Sequence, residues 1–248
     1  MDEQAKSYSV LGRLLSELSW EGKSVRRYRD GGIGLENVLT AEALLALDFL
    51  PRTAFLGNVL NSAHGAEIAR ASLIAEVEDA QATLLPGPHL LAPATEGARD
   101  FVVQPDALVT SKSTFCLVEA KRIRRSSFQP AQLARELVLT MRDAGERKPL
   151  LLLILGHEPP VPVQGHGRLA IRDAIAAPLP EVLARARNHQ LTVEGCLAAL
   201  DETVAWTTWA SLRAVVAEQA EIYTDDASTK GTIRRLAHSV LEAIDRHS

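Results

Sequence analysis

Between Lys148-Pro149 and Gly156 the chain carries six apolar residues in a row, Leu150 to Leu155. Such a run has no polar face to turn toward water, so it reads as a strand buried on both sides. It is far short of the ~20 residues a membrane helix needs. Before it, Gln129 to Arg142 shows Leu133, Leu137 and Met141 one turn apart, with Pro130 suited to a first helical turn. Before that, Thr114 to Ile123 reads as another buried strand. Strand, helix and interior strand in this order predict a parallel pair inside a sheet with covered faces.

The flanking pattern completes an α/β reading. Phe101 to Val109 and Thr114 to Ile123 are joined across the polar turn Ser111-Lys112-Ser113 and form an expected antiparallel hairpin. Helices are expected over Ser9 to Trp20, over Leu35 to Leu47 with a stop before Pro51, and from Phe55 to about Ile74. A strand is expected at Ala82 to Leu85. Toward the C-terminus the pattern gives a helix over Ala170 to Ala186 broken at Pro178 and Pro180, a short strand in Thr203 to Trp209, and helices over Ser211 to Ile222 and Thr232 to Ile244. The expected architecture is therefore a central mixed β-sheet flanked by helices, with additional N- and C-terminal helices. A length of 248 residues suits one domain with an appendage or two small ones.

Composition excludes several classes. A net charge of −4 rules out a generally basic nucleic-acid coat, and 46% hydrophobic residues fit an ordinary globular chain. Cys116 and Cys196 form no CxxC, so a disulfide framework is excluded and a cytoplasmic setting is expected. The N-terminus lacks the charge and apolar run of a secretory signal, and no membrane partner is expected. The seven histidines are dispersed, and no GxSxG, GxxxxGK[ST] or HExxH motif occurs.

Asp106, Glu119 and Lys121 carry the chemistry. On a strand, residues two apart share a face, so Glu119 and Lys121 project together while Cys116, Val118 and Ala120 face the other way. The hairpin brings Asp106 beside Glu119. Two neighbouring carboxylates repel unless a cation neutralises them, and a hard divalent ion does so through oxygen ligands. Such an ion, with a lysine to orient water, suits phosphodiester hydrolysis. The competing reading is an exposed Glu119–Lys121 pair on an edge strand, worth at most ~1 kcal/mol.

Pro105-Asp106, twelve residues, then Glu119-Ala120-Lys121 resembles the PD-(D/E)xK nuclease superfamily. In that pattern a helix acid precedes the Asp and ExK strands, and a helix bearing Gln often follows. Glu36 matches the helix acid, with Glu42 second, and Gln132 matches the Gln. The resemblance covers about Gly34 to Gly156, with an echo near Trp206 and Trp209. It implies a restriction-endonuclease-like fold in one domain over 1–248: a core of about 34–156 and a helical C-terminal extension of about 167–248. It also implies Mg²⁺ or Mn²⁺ on Glu36, Asp106 and Glu119, with Lys121 positioning water and Gln132 orienting Lys121 or substrate.

Charge fits a nucleic-acid partner. Residues 101–150 hold nine Lys and Arg against five Asp and Glu, in a chain with only six lysines. Arg122, Arg124 and Arg125 beside the ExK strand are the expected nucleic-acid-binding residues, and Arg26, Arg27 and Arg29 would extend that surface. The expected function is a Mg²⁺-dependent nuclease acting on DNA. The alternative is a non-catalytic protein of the same fold that binds DNA or a protein partner. A third possibility is a regulatory or toxin–antitoxin-type interaction protein driven by the C-terminal helices. A homodimer is the oligomer considered.

Overall fold

The computed structural model describes residues 35–93, 101–121, 123, 127–186, 190–224 and 227–247. The expected helix over Ser9 to Trp20, the arginines 26, 27 and 29, and Arg122, Arg124 and Arg125 lie outside the described residues, as does the side chain of Glu36.

Five strands form the central sheet: β1 (Gln81–Leu84), β4 (Ala107–Thr110), β5 (Thr114–Ala120), β6 (Lys148–Leu155) and β9 (Val204–Thr208), adjacent in that order. β4 pairs antiparallel with both β1 and β5, while β6 pairs parallel with both β5 and β9. The sheet is mixed, as expected. β6 is next to the edge, yet Leu150 to Leu155 is buried on both faces, which accounts for its unbroken apolar run. Two short ribbons stand outside the sheet: β2 (His89–Leu91) with β3 (Phe101–Val103), and β7 (Val161–Val163) with β8 (Gly167–Leu169).

Alternation along β5 divides the core in two. Cys116, Val118 and Ala120 face a layer built from α1 (Leu35–Phe49), α2 (Leu56–Ser62), α3 (Glu67–Ala75), α9 (Trp209–Ile222) and α10 (Ala227–His247). Phe115 and Leu117 face α4 (Gln132–Ala144), α5 (Ile171–Ala176), α6 (Leu179–Arg185) and α7 (Val193–Ala198). A one-turn helix, α8 (Leu200–Thr203), leads into β9. Burial pushes the Cys116 thiol well above its ordinary pKa, in keeping with an inert core residue.

Four expectations change. The first hairpin arm, expected over Phe101 to Val109, is divided: β3 pairs with β2 outside the central sheet, and only β4 pairs with β5. The helix from Phe55 to Ile74 is two helices, because Gly65 and Ala66 turn into positive φ where His64 and Trp206 exchange backbone hydrogen bonds of 2.9 Å. β5 ends at Ala120 instead of Ile123, although Lys121 N–H still reaches the Ile154 carbonyl at 2.7 Å. Helix α4 begins at Gln132 rather than Gln129, since Ala131 sits at φ 61° and leaves Pro130 in the preceding turn.

The entry to α9 is capped by Thr208, whose Oγ1 accepts the Ser211 N–H at 3.0 Å. Thr208→Ala is expected to lower stability by about 1 kcal/mol, measured as a shift in urea midpoint.

Candidate active site

The carboxyl end of β5 collects the polar residues. Pro105 lies between β3 and β4, where no ladder hydrogen bond is required of it. Asp106 then enters the sheet: its N–H donates to the Val118 carbonyl at 3.1 Å, and its carbonyl accepts the Leu85 N–H at 2.8 Å. Its carboxylate Oδ2 accepts the Ala120 N–H at 2.7 Å. Asp106 is thus tied to the main chain between Glu119 and Lys121.

Glu119 projects to the α4 side of the sheet, opposite Cys116, as strand alternation requires. Its Oε1 takes the Lys121 ammonium at 2.7 Å and the Gln132 Nε2 at 2.6 Å. The Glu119 and Lys121 side chains are only 5% and 13% exposed, and β5 is the central strand. The exposed edge-strand pair is therefore overturned. A buried pair must offset its desolvation, so it needs further hydrogen bonds and a reason to persist.

Lys121 is held from several directions. Its ammonium lies 5.1 Å from the centroid of the Phe128 ring, a cation–π arrangement. Phe128 is buried, and its backbone is bound to Pro162 and Gln164 at 2.9 Å each, so the β7–β8 ribbon fixes it. From the other face, the Trp209 indole N–H donates to the Lys121 carbonyl at 2.8 Å. Trp209→Phe is expected to cost roughly 1 kcal/mol through this bond, seen in thermal unfolding, and to loosen Lys121 without removing any charge.

Gln132 links strand to helix. Its Oε1 accepts the Gln129 N–H at 3.1 Å, and its Nε2 donates to Glu119 and, at 2.8 Å, to Oε1 of Glu136. That second bond introduces a site residue that the sequence reading missed. Glu136 is 2% exposed, and its Oε2 is buried with no hydrogen-bond partner. Burial raises its pKa well above the ordinary value, and the nearby charges of Glu119 and Asp106 add to the rise against the opposing pull of Lys121. The signal was available: Glu136 lies between Leu133 and Leu137 on the apolar stripe of α4, one turn from Gln132.

The structure thus brings Asp106, Glu119, Lys121 and Gln132 together. Glu36 sits in the first turn of α1, with its side chain outside the described residues. The alternative helix acid, Glu42, faces α10 instead, where Arg246 reaches it at 3.3 Å. Lys121, Gln132 and Glu136 line an open cleft of about 360 Å³.

No family model, curated protein or solved structure matches the chain.

The donor set suits a hard divalent cation in its chemistry. Asp106, Glu119 and Glu136 offer carboxylate oxygens, one of them buried and unpartnered. Among the described residues, no group of three or more Asp, Glu, His or Cys side chains is already arranged as a ligand cluster. No described helix is long and apolar enough to cross a membrane.

Proposed function

We propose that this chain is a metal-dependent nuclease of the PD-(D/E)xK superfamily, with a restriction-endonuclease-like core, hydrolysing phosphodiester bonds in DNA. The observation that carries the reading is the gathering of three acidic side chains around Lys121 at the end of β5, with one buried oxygen of Glu136 unpartnered. Structural ion pairs seldom include a surplus buried carboxyl group of this kind.

Asp106 and Glu119 would hold Mg²⁺ or Mn²⁺, with Glu136 as a third donor from α4 and Glu36 the acid contributed by α1. A divalent ion supplies charge stabilisation at a phosphoryl oxygen and a lower pKa for water. The protein's own work is positional. Lys121, fixed by Glu119 and Phe128, would orient the attacking water and offset charge developing on the phosphoryl group. Gln132 keeps Glu119 and Glu136 at a set spacing. Arg122, Arg124 and Arg125 follow Lys121 directly in the chain and are assigned to phosphate contact.

The test is incubation of the full chain with supercoiled, linear and single-stranded DNA in Mg²⁺ or EDTA. Cleavage in Mg²⁺ and none in EDTA is expected. Failure to cleave any of the three substrates in Mg²⁺ or Mn²⁺ overturns the reading.

One observation favours the non-catalytic alternative: Glu119 Oε1 is already engaged by both Lys121 and Gln132. A binding protein of this fold would show neither cleavage nor a rise in melting temperature with Mg²⁺ or Mn²⁺.

A further inference from the structure

Arg135 precedes Glu136 on α4 and lines two clefts at once. The first is the polar cleft of Lys121, Gln132 and Glu136. The second, also about 360 Å³, is bordered by Phe101, Gln164 and Arg185. Gln129 lines both as well, so the two clefts meet at the start of α4.

Two guanidinium groups stack on one aromatic ring at this junction. Arg185 lies 4.2 Å and Arg135 5.8 Å from the Phe101 ring centroid. Stacking orients a guanidinium plane but uses none of its N–H donors. Arg185 has an exposed partner in Glu181 at 3.3 Å. Arg135 differs: its Nε is buried and finds no acceptor. Buried donors without acceptors are rare, and the Arg135 side chain as a whole lines both clefts, where a guanidinium can offer its N–H donors to an anion. Arg is the side chain whose planar fork fits phosphate oxygens.

We propose that Arg135, set in plane by Phe101 and assisted by Arg185, binds a backbone phosphate of the nucleic-acid strand next to the phosphate presented to Lys121. The strand would run from the first cleft into the second around the start of α4. This assignment rests on the nuclease reading for the identity of its ligand. It makes Arg135 a binding residue, separate from the groups that act on the scissile bond.

The experiment is fluorescence anisotropy of labelled single-stranded and duplex DNA with the full chain in EDTA, over a salt series. Arg135→Gln is expected to weaken binding about tenfold, and to lower the slope of log affinity against log salt by about 0.7 on single strands or 0.9 on duplex. Arg135→Lys retains the charge without the fork, so its affinity should fall between while its salt slope stays near wild type; its affinity also serves if the Gln variant does not fold. Arg172→Gln, which removes an exposed charge paired with Asp201, should leave both quantities at wild-type values. Wild-type affinity and slope in folded Arg135→Gln or, where that variant does not fold, wild-type affinity in Arg135→Lys would overturn the proposal. So would equal weakening by Arg172→Gln, or a wild type that binds neither DNA. Inorganic phosphate displacing DNA at matched phosphate concentration would assign the subsite to a free phosphate instead. Cleavage assays separate the two readings. Loss of binding in Arg135→Gln with no cleavage by wild type leaves the subsite and removes the nuclease. Cleavage with an unaltered Arg135→Gln Kd does the reverse.

Discussion

Replacing Lys121 with alanine is expected to reduce Mg²⁺-dependent DNA cleavage by about 10²–10³-fold, the loss that follows removal of one preorganised donor from a developing oxyanion. The fall should appear in kcat, since Lys121 is buried against Glu119 and Phe128 and is poorly placed to contribute general strand affinity. Asp106→Ala should be at least as damaging, because Asp106 combines a proposed ion ligand with the acceptor of the Ala120 N–H. Its structural share can be separated: Asp106→Asn retains an oxygen for that N–H while removing the charge, so it should melt near wild type yet stay inactive. Wild-type cleavage by either Lys121→Ala or Asp106→Ala would remove these residues from the reaction. Because Glu119 loses its ammonium partner in Lys121→Ala, that variant should also be less stable in EDTA and regain part of the loss on addition of Mg²⁺.

The residues behind that prediction differ in how plainly the sequence announces them. Glu119 and Lys121 could be placed on one face because strand alternation is fixed by geometry, and Asp106 followed from the hairpin. The unbroken run of β6 announced its own burial between β5 and β9. Glu136 was harder to see. A glutamate on a helix is usually a solvated residue, and only its position between Leu133 and Leu137 argues that it faces the sheet. The break between α2 and α3 was less legible still. It depends on the pairing of His64 with Trp206, more than 140 residues away, and no local propensity reports such a contact. The β2–β3 ribbon was missed for a related reason. His89 to Leu91 is three residues long and follows Pro86-Gly87-Pro88, so it has too few positions to show alternation. Arg135 was invisible as a site residue because its distinction is the lack of an acceptor, which exists only once the helix is packed.

Glu136→Gln is expected to separate ion binding from fold stability. In the metal-free protein, Glu136 is a buried acid whose pKa is raised above the ordinary 4.5 by burial and by Glu119 and Asp106. The folded state therefore binds its proton more tightly than the unfolded state. Between the ordinary value and the raised one, the native state carries more protons, so this group's contribution to stability falls as pH rises. Wild type in EDTA should thus lose melting temperature as pH climbs above the usual carboxyl range, and Glu136→Gln should flatten that part of the profile. Divalent ions reverse the comparison. An ion present at a hundred times its Kd stabilises the folded state by about 2.7 kcal/mol, which is roughly 5–10 °C for a chain of this size. Because the ion competes with the proton on Glu136, that gain should grow with pH in wild type. Glu136→Gln supplies a neutral amide in place of the buried oxygen and should lose most of it. Melting curves of both proteins with and without Mn²⁺, from pH 5 to 8, make the check. A Glu136→Gln variant that keeps the full Mn²⁺ shift would exclude Glu136 from the ion site, and the unpartnered oxygen would then be a cost borne by the fold alone.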